Sequence, residues 1–248
     1  MLKISILMYH QIGVFDRPRE HRATFCHIRR FKAQMAYLRL FGYKVVSLEE
    51  ALKALYLKNE KGDYQHAVVL TFDDGYKNFF EYAFPVLSAR GYPATVFLVA
   101  GLLGKNAKWL ADDGRYAPEL LDVDTIRKLH SQGVTFGSHS LTHPRLTALD
   151  PRAMEREIIE SKSILEALLG HRVHYFCYPG GIYNEMVVAK VREAGYDAAL
   201  TCDRGAATMF DDPFLLPRKA ISFGDSLLGY FWKLHMKHKK KLQRQPLA

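Results

Sequence analysis

The stretch Ala67-Val68-Val69-Leu70-Thr71-Phe72-Asp73-Asp74-Gly75-Tyr76 is a run of β-branched and aromatic residues that stops abruptly at two carboxylates and a glycine. A continuous apolar run of this length reads as a strand buried on both faces, and the acids at its end read as the start of a functional loop. Runs of the same kind recur at Ile4 to Tyr9, Lys44 to Ser47, Ala94 to Val99, Val134 to Ser138, His174 to Tyr178, Ala198 to Thr201 and Leu216 to Ile221. Segments of helical periodicity lie between them, at Arg30 to Phe41, Leu48 to Leu57, Tyr76 to Arg90, Asp124 to Gln132, Pro151 to Leu169 and Glu185 to Ala194. Strand and helix in alternation imply parallel βα units. This many units predict an α/β fold, a distorted or incomplete (β/α) barrel of seven to eight strands, with an open doubly wound sheet as the alternative. In either architecture the ligand site lies at the carboxyl ends of the strands, so the polar residues just after each apolar run are the candidates for chemistry. The stretch from Gly101 to Asp122 reads as an insertion over the barrel rim. We expect one large domain over residues 1–226 and a basic C-terminal helix and tail over 227–248.

A chain of 248 residues with 48% hydrophobic content can bury a substantial core. Its formal charge of +9 favours an anionic contact, but much of the excess sits between Lys233 and Arg244, and basic residues interleaved with stacking aromatics are not found elsewhere. Nucleic acid is therefore not an expected partner. Cys26, Cys177 and Cys202 form no CxxC pair and read as free thiols. The opening MLKISILMYHQIG is too short in its apolar part for a signal-peptide core, and no run approaches the roughly 20 residues of a membrane span. The expected location is cytoplasmic, with secretion open if the true start lies upstream. Near the other end, Leu228, Phe231, Trp232 and Leu234 precede Lys237, Lys239, Lys240, Lys241 and Arg244. Two readings compete there: a helix capping the barrel with solvated lysines, or a peripheral anchor to anionic membrane.

In a strand-like backbone the side chains of Asp73 and Asp74 diverge, so one can reach a metal while the other faces substrate; an Asp-Asp-Gly turn is the bland alternative. A second strand-like run ends in Gly137-Ser138-His139-Ser140-Leu141-Thr142-His143-Pro144. Two histidines four apart meet on one face of a helical turn and can share an ion, although two unrelated surface histidines have the same spacing. Combined with the strand-end acids they make an Asp-His-His set with positions left for water and substrate.

These two motifs, TFDDGY and HSLTH, resemble those of the polysaccharide deacetylase family, the carbohydrate esterases that share the chitooligosaccharide deacetylase homology domain. The resemblance runs from Ile4 to about Ile221. It implies that Asp73 is the catalytic base and that Asp74, His139 and His143 hold one divalent ion, zinc foremost, with cobalt, nickel or iron also accepted by such donors. Phe176-Cys177-Tyr178-Pro179-Gly180-Gly181 resembles the family motif that builds one wall of the groove. It implies substrate contacts at Tyr178, Pro179 and Gly180, joined by Tyr76, with a backbone N–H near Tyr178 serving the oxyanion. Many members carry an arginine near the position of Cys177, paired with the catalytic aspartate. Here Arg218, at the end of a late strand, either supplies that charge or is a solvated arginine. Leu7-Met8-Tyr9-His10 resembles the N-terminal motif of the circularly permuted poly-N-acetylglucosamine deacetylases, which implies His10 as the proton donor. The late-strand histidine of other members has no counterpart, since His235 and His238 fall in the basic tail.

The implied reaction is metal-dependent hydrolysis of an acetamide, removing N-acetyl groups from an N-acetylhexosamine-containing glycan or glycolipid. An amidohydrolase acting on a small cyclic amide or ureide and a catalytically silent glycan-binding module are the alternatives. The complete metal set argues against both.

Overall fold

The computed structural model describes residues 1–16, 18, 21–57 and 62–239, so Lys240, Lys241 and Arg244 of the basic tail lie outside the described residues. Strand β1 (Ser5–Tyr9) is followed by β2 (Gln11–Gly13), β3 (Phe25–His27), α1 (Ile28–Leu40), β4 (Lys44–Val45), α2 (Leu48–Tyr56) and β5 (Ala67–Phe72). Next come α3 (Phe84–Ser88), β6 (Thr95–Leu98), α4 (Lys108–Asp112), α5 (Val123–Ser131), β7 (Thr135–Ser138), α6 (Pro151–Leu169) and β8 (Tyr175–Cys177). The last described elements are α7 (Glu185–Glu193), β9 (Ala198–Arg204), β10 (Leu216–Ala220) and α8 (Leu227–His235).

Eight parallel strands are joined in the order β1-β10-β9-β8-β7-β6-β5-β4, and β1 also pairs with β5 along its whole length, from Ser5 opposite Val68 to Tyr9 opposite Phe72. That second pairing closes a ring of seven strands and rules out the open doubly wound sheet. Strand β4 stands outside the ring. It pairs with Ala67 and Val68 at the start of β5, while β6 pairs with Thr71 and Phe72 at the other end of the same edge.

Alternation along each strand divides the core in two. On β5, Val68, Leu70 and Phe72 face the helices, whereas Val69 joins Ile6, Phe97, Cys177, Leu200 and Leu216 inside the barrel. Residues Leu48, Ala51 and Leu55 of α2 belong to the same interior cluster. This alternation fixes the inward direction for the alternate residues Val69, Thr71 and Asp73, and it fixes the inward direction for Arg218 and the outward one for Lys219 on β10.

The helices start where the sequence offers caps. Ser47 and Glu50 form a capping box on α2, and Asp122, Asp150, Asn184 and Ser226 each accept a backbone N–H in the first turn of α5, α6, α7 and α8. One expected helix is altered. Instead of running unbroken from Tyr76 to Arg90, the chain makes a π-helical turn at Phe79–Ala83 before α3. Pro85 has no N–H, and its ring would strike the carbonyl of Glu81 in a regular α-helix, so the backbone widens and Phe84 N–H donates to Phe79 O.

Helix α8 docks on the barrel through Tyr230 and Leu234, which enter the outer core cluster. The other apolar side chains of the helix turn outward: Leu228, Phe231 and Trp232 are 80%, 43% and 52% exposed. No helix among the described residues is long and apolar enough to cross a membrane.

Candidate active site

The carboxyl end of β5 opens into a cleft of about 530 Å³. Asp73 continues the strand, its N–H donating to Tyr9 O at 2.9 Å. Asp74 then turns into the left-handed region at φ 72°, followed by Gly75 at φ 69°, where a Cβ would lie 2.7 Å from Leu98 Cδ2. The reversal at Asp74, more than strand alternation, separates the two carboxylates. Asp73 points into the barrel mouth and Asp74 toward the end of β7.

At that end His139 and His143 converge on Asp74, their Nε2 atoms 3.3 and 3.4 Å from the same Oδ1. The expected helical turn between them is absent. Residues 139–143 form an irregular loop with Ser140 and His143 both in the left-handed region, at φ 67° and 66°. Backbone strain of this kind persists only where surroundings enforce it. Here the enforcing group is Glu157 of α6, which the sequence reading missed. Its carboxylate accepts from Leu141 N, Thr142 N and Thr142 Oγ1 at 2.9, 2.9 and 2.6 Å. Ser140 Oγ adds a bond from His143 N at 2.9 Å. A signal was present, because Glu157 lies on the buried stripe of α6 with Met154, Ile158, Ser161 and Leu165.

The donor set fits a divalent cation. The ligand atoms of Asp74, His139 and His143 lie within 4.8 Å of one another, and ligands each about 2.0–2.2 Å from one ion stand roughly 3–3.5 Å apart. The Nδ1 atom of His139 is 2.7 Å from Cys177 O. A carbonyl only accepts, so Nδ1 carries the hydrogen and the Nε2 lone pair faces the Asp74 carboxylate. Two acceptors directed at each other need a cation between them. Without an ion that cation is a proton: against the opposing effect of burial, contacts with Cys177 and Asp74 raise the pKa of His139 well above the imidazole range, and a divalent ion would take the proton's place. Burial pushes His143 down to about 4, which leaves it a neutral ligand near pH 7. Asp74 stays below the usual carboxylate range, because contacts with both histidines outweigh its burial.

A second cluster, Asp73, His139 and Cys177, also has metal-ligand spacing. It is the poorer site, since a buried guanidinium already occupies Asp73 and burial holds Cys177 as a thiol. That guanidinium is Arg218, which is 1% exposed. Its Nη1 and Nη2 donate to Oδ1 and Oδ2 of Asp73, each at 2.7 Å, and Nε donates to Thr201 O at 2.9 Å. Nη2 also lies 3.1 Å from Cys177 Sγ and Nη1 3.2 Å from Thr71 Oγ1. Arg218 is thus no solvated arginine. Burial alone would raise the Asp73 pKa, but the charge of Arg218 outweighs it and holds the carboxyl below its usual range.

His10 sits across the mouth, its Nε2 3.9 Å from Asp73 Oδ2 and its Nδ1 buried without a partner among the described residues. Tyr76 and Gly180 line the cleft, but Tyr178 and Pro179 do not. Tyr178 begins a loop whose outward face packs under the helices, so its side chain is fully buried and its hydroxyl donates to Phe214 O at 3.0 Å. Its backbone N–H donates to Leu200 O at 3.2 Å, a long bond that must open before the group can serve an oxyanion. Pro179 is buried as well. The 101–122 insertion forms one wall of the cleft, with Trp109 stacked on the His143 ring at 4.4 Å and Arg115 and Tyr116 beyond it. His235 is distant from this chemistry and meets the hydroxyls of Tyr37 and Tyr43.

Residues 60–199, more than half of the chain, match the family model described as polysaccharide deacetylase. The chain is 28% identical over 224 residues to YxkH of Bacillus subtilis, covering 90% of this chain and 73% of the relative. To the poly-β-1,6-N-acetyl-D-glucosamine N-deacetylase of Escherichia coli it is 26% identical over 265 residues, covering 94% of this chain but only 39% of that enzyme. Among solved structures, the Streptococcus pyogenes deacetylase PplD in complex with acetate superposes with a TM-score of 0.79 at 26% identity, covering 94% of this chain and 99% of that one. With the match across both motifs and the closed barrel that carries them, the chain belongs to the polysaccharide deacetylase family.

Proposed function

We propose that this chain is a metal-dependent N-deacetylase that releases acetate from N-acetylhexosamine units of a glycan, with a poly-β-1,6-N-acetylglucosamine as the favoured substrate. One observation carries the reading. Asp74, His139 and His143 converge at strand ends in a cleft that also holds the Asp73–Arg218 pair and, facing it, His10. The substrate is suggested by the named activity of the Escherichia coli relative, of which this chain spans 39%.

When bound, a divalent ion supplies Lewis acidity toward the acetamide carbonyl and a nearby water, and the weak basicity of Arg218-paired Asp73 makes that acidity necessary. Zinc is the favoured ion. Asp73 takes the water proton on Oδ2, the oxygen nearer His10. Arg218 grips both carboxylate oxygens, so the base cannot rotate away from the attacking water. His10 gives a proton to the departing amine from the opposite side. Trp109, Tyr76, Tyr116, Phe15 and Phe25 line the cleft and offer rings to the apolar faces of sugars. The test is acetate release from N-acetylated β-1,6-glucosamine oligomers, with and without chelator. If metal-loaded protein frees no acetate from any N-acetylated oligosaccharide, the reading fails.

A peripheral membrane contact through α8 is a further part of this reading. Its support is the outward exposure of Leu228, Phe231 and Trp232 on a helix rich in flanking cations.

A further inference from the structure

A second cavity, of about 900 Å³, lies on the outer face of β10 beneath α8, away from the deacetylase cleft. It is lined by Lys3, Arg204, Lys219, Lys233, Lys237 and Lys239, and none of its described lining residues is acidic. Lys233 is neutralised by Asp225. Among the described residues, the other five have no carboxylate partner within ion-pair distance.

Lys219 is the informative member. It is 3% exposed, yet among the described residues its Nζ meets only Leu234 O at 3.2 Å and His238 Nδ1 at 3.3 Å. Buried cations are normally paired, because desolvation is repaid only by an opposite charge close by. Burial, helped by the charge of Lys3, pushes Lys219 down to about 7. The cluster therefore sets cations without acidic partners around a half-open cavity, an arrangement that an entering anion would relieve. Lysine ammonium groups act as rotatable point charges suited to phosphate oxygens. The space far exceeds one phosphate group, so the anion arrives as part of a larger molecule.

We propose that this cavity is a binding site for a phosphate group carried by a phosphorylated ligand. The site is independent of the deacetylase reading, since none of its residues lines the catalytic cleft. A membrane lipid headgroup is one source of that chemistry, because Met236, which lines the cavity and is exposed, directly follows α8 with its exposed Phe231 and Trp232. A soluble phosphorylated molecule is the other.

Two arms on the full-length protein separate the sources. In the first, inorganic pyrophosphate is titrated at low salt and followed by calorimetry. Wild type is expected to bind, and Lys3→Glu/Arg204→Glu, two exposed substitutions, is expected to bind at least tenfold more weakly with unchanged deacetylase activity. Lys219→Met should weaken binding similarly while leaving the surface charge of the rim intact. In the second arm, the protein is sedimented with phosphatidylcholine vesicles with or without phosphatidylglycerol. Pyrophosphate binding together with vesicle binding that the charge-reversed variant loses supports the site with a lipid as source, and pyrophosphate binding without such a loss supports it with a soluble source. If pyrophosphate fails to bind, or binds the charge-reversed variant as tightly as wild type, the proposal is overturned.

Discussion

Asp73 and Asp74 are neighbours with opposite partners, a guanidinium for one and two imidazoles for the other, so replacing each by its amide should have different consequences. Asp73→Asn is expected to keep its metal and lose turnover by about 100- to 10,000-fold, the range for removal of a general base. Asp74→Asn should lose the metal as well, and metal analysis after dialysis distinguishes the two; equal metal loss would contradict the division of roles. His10→Ala should cut turnover with little effect on metal content, whereas replacing His235 should leave the chemistry intact. Arg218 makes a prediction about stability. Removing one partner of a buried pair strands the other charge at a cost of about 3–5 kcal/mol, so Arg218→Met should lower the urea midpoint sharply. Adding Asp73→Asn to that variant should recover part of the loss, and no recovery would mean that the pair is not the source of the effect. The role of Arg218 could be suspected from the sequence because Cys177 stood where a positive charge was expected, but proximity to Asp73 depends on a strand far away in the chain. Cys177 and Arg218 meet the same carboxylate from adjacent directions, the thiol at 3.6 Å.

The loop after β7 is held in shape by α6. Glu157 satisfies two backbone donors and one hydroxyl there, and the left-handed residues Ser140 and His143 lie beside those contacts. Glu157→Gln is expected to weaken metal affinity by about 10- to 100-fold, the usual effect of losing a group that orients a ligand, and a competitive chelator titration reads it. Unchanged affinity would mean that the loop is rigid without its carboxylate anchor. Elements of this protein were legible wherever the period was clear: β5 and α6 begin and end at the residues expected, the first from its apolar run and the second from its helical periodicity. The short strands β2 and β3 were not, because three residues each carry too little pattern. The π-turn before α3 was hidden for a related reason, since its apolar spacing resembles that of an ordinary helix and only Pro85 betrays it. In the site, the ligand types and their strand-end positions were readable, but the convergence of His139 and His143 comes from loop geometry imposed by Glu157, not from helical spacing.

At the scale of the molecule, charge on the outer wall sets a pH dependence of stability. Lys219 has a folded-state pKa of about 7, against about 10.4 for an exposed lysine. Below pH 7 both folded and unfolded chains hold the proton, so the full cost of burying it is present. Between pH 7 and about 10.4 the unfolded chain binds more protons than the folded one, and the cost fades as pH rises. Lys219→Met should therefore stabilise the protein most at pH 6 and progressively less toward pH 10 in matched urea titrations; a pH-independent difference would contradict the assignment. On the other flank of α8, Phe231→Ser/Trp232→Ser should reduce sedimentation with anionic vesicles if the exposed face meets a membrane, and unchanged sedimentation would make that face ordinary surface. Closure of the ring has a separate consequence for synthesis on the ribosome. Strand β10 is the last of the ten described strands to emerge, and it alone joins β9 back to β1, the first. Until it docks, the nascent chain carries two unpaired parallel edges, and Asp73 lacks the guanidinium that only β10 can deliver. The act that seals the barrel is thus the act that completes the Asp73–Arg218 pair, so, on the proposed mechanism, a chain stalled before Leu216 emerges is expected to be inert, and activity itself reports that translation has passed β10.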